Sequence, residues 1–131
     1  MTITYGWRAG FADAELDALH AEGFGYAPQG IEWSARLDRH SVGWVCAHRD
    51  DRLIGFVNVV GDGGVHAFLV DTVVAQEARG LGVGTALVAA AVAGSRAAGC
   101  RWLHVDYEPH LARFYQEACG FRSTPAGLVA L

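Results

Sequence analysis

Apolar and polar residues alternate near the start of the chain, and Ile3, Tyr5 and Trp7 fall on one side of an extended segment. That pattern predicts a first strand over residues 2–7. The period then lengthens. Leu16 and Leu19 share one helical face, Asp13 stands where an N-cap would, and Glu15 and Asp17 fall in the acid-favouring first turn. Residues 23–30 hold Pro28 and three glycines, so they read as a loop. Trp33 and Leu37 are spaced for a short second helix. Three strands follow, over residues 42–48, 53–60 and 65–74. They are separated by the Asp50-Asp51 turn and by Gly61-Asp62-Gly63-Gly64, a strong hairpin signal. Strands joined by such short turns make an antiparallel meander.

A long alanine-rich stretch predicts a helix over 82–98 with Gly99 as its C-cap. Residues 101–107 read as a fifth strand. Linked through the helix to the fourth strand, it forms a parallel βαβ unit. Glu108 and Pro109 suit the N-cap and first position of a last helix, which runs to Cys119 and stops at Gly120. The tail, 121–131, is expected to add one or two short strands around Pro125-Ala126-Gly127. With no repeat or linker, residues 1–131 read as a single domain of mixed α/β class. It has a mostly antiparallel sheet, a central parallel βαβ unit and helices on both faces.

Composition narrows the function. The chain has 131 residues, enough for one domain with a useful core, and 52% of them are hydrophobic. The formal net charge of −4 leaves no basic face for nucleic acid, while an amine substrate is compatible with it. Cys46, Cys100 and Cys119 are odd in number and lack CxxC spacing, which argues against a disulfide framework or a zinc site. His66, His104 and His110 also lack the short spacing of a metal motif, so no metal is expected. The N-terminus lacks the pattern of a signal peptide, and the longest apolar stretch, 81–93, is glycine-interrupted and too short to span a bilayer. A cytoplasmic protein with no membrane partner is expected. Open strand edges near the C-terminus allow a homodimer.

The chemistry-bearing stretch is Val73-Val74-Ala75-Gln76-Glu77-Ala78-Arg79-Gly80-Leu81-Gly82-Val83-Gly84-Thr85. A strand ends, a glycine loop follows, and a helix begins. A helix N-terminus offers unpaired N–H groups and the positive end of the helix dipole, a ready site for phosphate. Two phosphate loops fail on spacing. The third glycine of GxGxxG would fall on Thr85 or Leu87, and no lysine follows Gly84 as a P-loop requires. What remains is Arg79-x-x-Gly82-x-Gly84.

That remainder resembles the [Q/R]-x-x-G-x-[G/A] signature of the GNAT superfamily of acyl-CoA-dependent N-acetyltransferases. A second segment, Phe114-Tyr115 followed by Gly120-Phe121, is similar to the family's (F/L)-Y-x-x-x-G-F motif, with one extra residue between the pairs. Leu53-Ile54-Gly55-Phe56 resembles a third family strand. Two positions depart from the pattern: Glu108 stands where an Asn often contacts the pantetheine arm, and Gln76 replaces a common proline. The resemblance implies a mixed α/β fold and transfer of an acetyl group from acetyl-CoA to a primary amine of a small molecule, the alternatives being a protein amine as acceptor or a non-catalytic acyl-CoA-binding module. It implies that the backbone of Arg79, Gly80, Leu81, Gly82, Val83, Gly84 and Thr85 faces the coenzyme A pyrophosphate. The main chain of Thr72, Val73 and Val74 would pair with pantetheine and supply the oxyanion donor. Tyr115 would be the acid for the departing thiolate, although Leu111, Phe114, Tyr115 and Ala118 fall at i, i+3, i+4 and i+7, which also suits a core tyrosine. His104 and Asp106 stand on the strand that supplies the base in some members; Asp71 and His66 stand on the strand that supplies it in others, and water is a further carrier. Phe24, Tyr26 and Trp33 either wall the acceptor site or serve as core.

Overall fold

A computed structural model describes residues 2–131. The alternating segments pair into one five-stranded sheet: β1 (Ile3–Trp7), β2 (Ser41–Arg49), β3 (Arg52–Gly61), β4 (His66–Val74) and β5 (Trp102–Val105), in that spatial order. Neighbours from β1 to β4 run antiparallel, and β5 joins β4 in parallel after the helix α3 (Val83–Ala97). The mixed sheet is the expected one.

Side-chain alternation along β3 explains the layers. A Cβ on Gly55 would stand 2.9 Å from Leu87 and 3.0 Å from Val83, so Gly55 faces α3. Phe56 faces the other way, its ring 5.9 Å from Trp33 and 6.4 Å from Phe11. Trp33 begins α2 (Trp33–His40), which packs beside α1 (Asp13–Phe24) on that face. With helices on both faces, the central strands are buried almost continuously rather than on alternate residues. Trp7 wedges under α3, where a Cβ at Gly43 or Gly94 would stand 2.1 or 2.2 Å from its ring.

Two irregularities in β4 matter for the site. Phe56 pairs with Val73 and Asn58 with Val70, so Asp71 and Thr72 together oppose Val57: a β-bulge. Asp71 sits there at φ +61°, in the left-handed region that aspartate tolerates better than most residues. Pairing with β5 also stops early, at Leu69↔Val105. From Val70 to Val74, β4 has a neighbour on one side only.

Four local expectations are corrected. Ala12, not Asp13, is the N-cap of α1; the Asp13 carboxylate instead accepts a hydrogen bond from the Ser34 backbone N–H at 3.0 Å and ties α1 to α2. The glycine-rich loop starts later than expected, because α1 continues through Gly23 to Phe24 before Gly25 caps it. The last helix is a 3₁₀ turn (Pro109–Leu111) followed by a π-helix (Arg113–Ala118). The tail forms no strand: Pro125 lacks an N–H, Gly127 breaks the apolar run, and Leu128, Val129 and Leu131 stay exposed. Among the described residues, no helix is long and apolar enough to cross a membrane.

Candidate active site

Beyond Leu69 the free edge of β4 leads directly to the glycine loop. Val74 ends the strand, a 3₁₀ turn (Gln76–Ala78) follows, and Arg79 and Leu81 are exposed. Gly80 and Gly82 take φ of +81° and +77°, a conformation costly to any residue with a Cβ. A Cβ at either would meet nothing within 4 Å. The loop is therefore open rather than filled by protein. Gly82 is the N-cap of α3 and supplies no capping side chain, and the first turn holds no acidic residue. The N–H groups at this end of α3 lack intrahelical acceptors, as at any helix start, and no carboxylate competes for them. Arg79 has no ion-pair partner among the described residues. Gly84 is different: a Cβ there would stand 3.2 Å from the Phe114 ring, so it permits close packing.

That contact couples the loop to Tyr115. The phenol is buried, stacked on Tyr107 at 5.0 Å between centroids and held edge-on by Phe114 and Phe121. Burial pushes its pKa above the usual tyrosine range, partly offset by the Thr72 side chain beside it. The π-helix explains the extra residue in the second motif. The Cys119 N–H reaches back five residues to the Phe114 carbonyl at 3.0 Å, so one inserted residue is absorbed while Tyr115 stays on the inward face. The Phe121 N–H then closes on the Tyr115 carbonyl at 2.9 Å. Thus Tyr115 stands beside the bulge from which the free edge starts.

The other candidates lie elsewhere. His104 pairs across from Phe68, stacks on it at 4.6 Å and meets His66 Nδ1 through Nε2 at 2.9 Å. Phe68 precedes Thr72 by four residues, about 13 Å along a strand. Asp106 lies past the end of β5 and is exposed, so it does not share a strand face with His104 as expected. Glu108 is also exposed; its carbonyl accepts the Leu111 N–H at 2.9 Å. The three aromatics divide: Trp33 is core, Phe24 is exposed, and Tyr26 is half-buried.

Tyr26 belongs to a polar cluster that sequence patterns did not reveal. His20 on α1 reaches Asp71 Oδ1 through Nε2 at 2.9 Å and the Tyr26 hydroxyl through Nδ1. Asn58 Nδ2 donates to Asp71 Oδ2 at 3.3 Å, and Ser41 Oγ donates to Asn58 Oδ1 at 2.6 Å. Burial raises the Asp71 pKa, but hydrogen bonds from His20 and Asn58 and the charges of His20 and Arg36 outweigh it and hold the carboxyl below its usual value. Only Asp71 and Tyr26 carried any signal in the sequence; His20 stands in no motif. Among the described residues, no group of three or more His, Cys, Asp or Glu side chains could hold a metal ion.

The model of the Acetyltransferase (GNAT) family matches residues 7–121. The chain belongs to the GNAT family. A comparison with curated proteins finds no match. Solved GNAT-like structures superpose over nearly the whole chain. A putative acetyltransferase from Deinococcus radiodurans R1 is 24% identical with TM-score 0.79, over 98% of this chain and 87% of that one. Glucosamine-6-phosphate N-acetyltransferase from Arabidopsis thaliana is 16% identical with TM-score 0.76, over 98% of each. AAC(6')-Iy in complex with the bisubstrate analogue CoA-S-monomethyl-acetylneamine is 19% identical with TM-score 0.76, over 100% of this chain and 98% of that one. These likenesses show the fold. The GNAT family uses acetyl-CoA. The residues present fit such a donor: a free strand edge, two glycines open to 4 Å, and a helix start with neither a capping side chain nor an acid.

Proposed function

We propose that the protein, as one domain over residues 1–131, transfers an acetyl group from acetyl-CoA to the primary amine of a small molecule in the cytoplasm. The observation that carries this reading is the continuity of three features. The unpaired edge of β4 runs into the uncapped start of α3, and the buried Tyr115 phenol sits beside the bulge where that edge begins.

In this reading the N–H groups of the 79–85 loop hold the pyrophosphate, with the exposed Arg79 guanidinium adding charge-assisted hydrogen bonds. The backbone of Thr72, Val73 and Val74 pairs with the pantetheine arm as an added strand would. An N–H of that segment, fixed by the sheet, faces the thioester oxygen as charge develops there and costs no reorganisation. Tyr115 donates its proton to the departing thiolate. Its raised pKa keeps the phenol protonated and ready at neutral pH, and the oxygen's place beside Thr72 sets the direction of transfer. That AAC(6')-Iy, which shares the fold, binds the bisubstrate analogue CoA-S-monomethyl-acetylneamine supports an amine acceptor.

Release of free thiol from acetyl-CoA, followed across a panel of small amines, tests the reading. Turnover with at least one amine is expected. Binding of acetyl-CoA without turnover of any amine would leave a coenzyme-binding module in place of an enzyme.

A further inference from the structure

The loop and Tyr115 provide for the donor but leave the acceptor's proton without a destination. An alkylamine is almost wholly protonated at neutral pH, its pKa being about 10.4, and must lose a proton before it can attack. The polar cluster on the α1 face meets the Tyr115 neighbourhood at the β4 bulge. Asp71 and Thr72 are consecutive residues of the bulge; Thr72 lies beside the Tyr115 phenol and Asp71 is tied through His20 to a second phenol, Tyr26.

The direction of each hydrogen bond follows from Asp71. Its carboxyl is held ionised, so it accepts only, and His20 Nε2 must carry the hydrogen that reaches Oδ1. With the hydrogen on Nε2, the tautomer that leaves Nδ1 bare accepts the Tyr26 O–H there. Burial and the charges of Asp17 and Asp71, against an opposing Arg36, hold the Tyr26 pKa above its usual value, so the phenol is a donor. The ring of His20 is clamped by Phe24 at 4.4 Å and Trp33 at 4.8 Å between centroids. Asn58 and Ser41 complete the bonds of the carboxylate and its partner. Nothing about core packing requires a carboxylate in a left-handed bulge, a half-buried histidine and a half-buried tyrosine in one line.

We propose that Tyr26, His20 and Asp71 form the relay that takes the proton from the acceptor amine, with Tyr26 Oη the atom that touches the substrate. The inference rests on the acetyltransferase reading. As the ammonium N–H proton moves to Tyr26 Oη, the Tyr26 proton moves to His20 Nδ1, and the imidazolium is balanced by the Asp71 carboxylate. The freed nitrogen pair forms the C–N bond and the C–S bond breaks. The thiolate takes the Tyr115 proton, and the second N–H proton, acidic once the nitrogen is acylated, restores Tyr115 through solvent. One proton leaves His20 to solvent per turnover, which balances the conversion of an ammonium and a thioester into an amide and a thiol. His20 and Asp71 act through Tyr26 and are positioning residues.

The test compares the wild type with Tyr26→Phe, His20→Gln and His104→Gln. The readouts are calorimetry of acetyl-CoA, thermal melting, and kcat against pH with an amine that the wild type acetylates. Tyr26→Phe removes one half-exposed hydroxyl and tests the relay even where His20→Gln fails to fold. Tyr26→Phe and His20→Gln are expected to lower kcat about 10²-fold, as loss of a positioned base does, while acetyl-CoA affinity stays within twofold. Their residual kcat should climb with the free-amine fraction, about tenfold per pH unit through neutrality, where the wild type levels off. The charged groups facing the relay, Asp17 on α1 and Arg36 on α2, are unchanged in all variants. A purely structural cluster would lower the melting temperature and leave the profile's shape alone; that result, or kcat within threefold of wild type in both variants, overturns the relay. So does the loss appearing in His104→Gln instead. A wild type that binds acetyl-CoA and acetylates no amine overturns the acetyltransferase reading, and the relay with it.

Discussion

At the scale of single residues, Tyr115 and Asp71 have environments that move their pKa values in opposite directions. Burial raises Tyr115, so its hydroxyl stays protonated, and any alkaline loss of rate through its ionisation should lie above pH 10.0. Tyr115→Phe keeps the stacking on Tyr107 and removes only the proton; kcat should fall about 10²-fold with acetyl-CoA affinity unchanged, measured by thiol release and calorimetry. Asp71 is shifted downward from 3.8 because burial is outweighed by the hydrogen bonds from His20 and Asn58 and by nearby positive charge. A lowered folded value means that its contribution to stability is complete above 3.8 and is lost as pH falls through the folded value. Melting curves of wild type and Asp71→Asn should therefore differ most above about pH 5 and converge as the solution becomes more acid than the ordinary carboxyl value. Tyr115 was legible in the sequence because its motif is local. His20 was not, since 51 positions separate it from Asp71 and a histidine on a helix carries no pattern of its own.

At the scale of elements, the glycine loop and the π-helix are one device. Gly84 admits the Phe114 ring, and Phe114 precedes Tyr115, so the start of α3 sets where the phenol stands. Gly84→Val should push that ring away and overpack the contact, with a loss of about 1–3 kcal/mol in denaturant unfolding and weaker acetyl-CoA binding. The strands were readable to within a residue or two where both faces are covered, because long apolar runs end at unmistakable turns such as Gly61-Asp62-Gly63-Gly64. The bulge was not readable. Nothing in Val70-Asp71-Thr72-Val73 marks which residue is spare; that is decided by pairing with Phe56 and Asn58. The tail failed for the complementary reason. Apolar residues can suggest a strand, but only a partner ladder makes one, and residues 122–131 find none.

At the scale of the whole molecule, β4–β5 pairing ends early, at Leu69↔Val105, and the β4 edge beyond it stays free while α1 packs on that strand. β5 is the last strand of the sheet, so its outer edge is unpaired, and Phe68, Val70 and Trp102 are exposed on β4 and β5. An open edge beside apolar surface favours association, and light scattering should give twice the 14.0 kDa chain mass at micromolar concentration; a monomer at all concentrations would rule out the expected homodimer. The fold class was legible because order and period of elements leave few topologies for β, two helices, a meander and a βαβ unit. The early end of β4–β5 pairing was not legible, since unequal strand lengths are a property of pairing and not of either segment. A crystal structure of the protein with acetyl-CoA tests this account most directly. It should place the pantetheine along Thr72, Val73 and Val74, the pyrophosphate on the N–H groups between Arg79 and Thr85, and the thioester sulfur within hydrogen-bonding reach of the Tyr115 hydroxyl. Coenzyme density away from the β4 edge, or a sulfur remote from Tyr115, would contradict it.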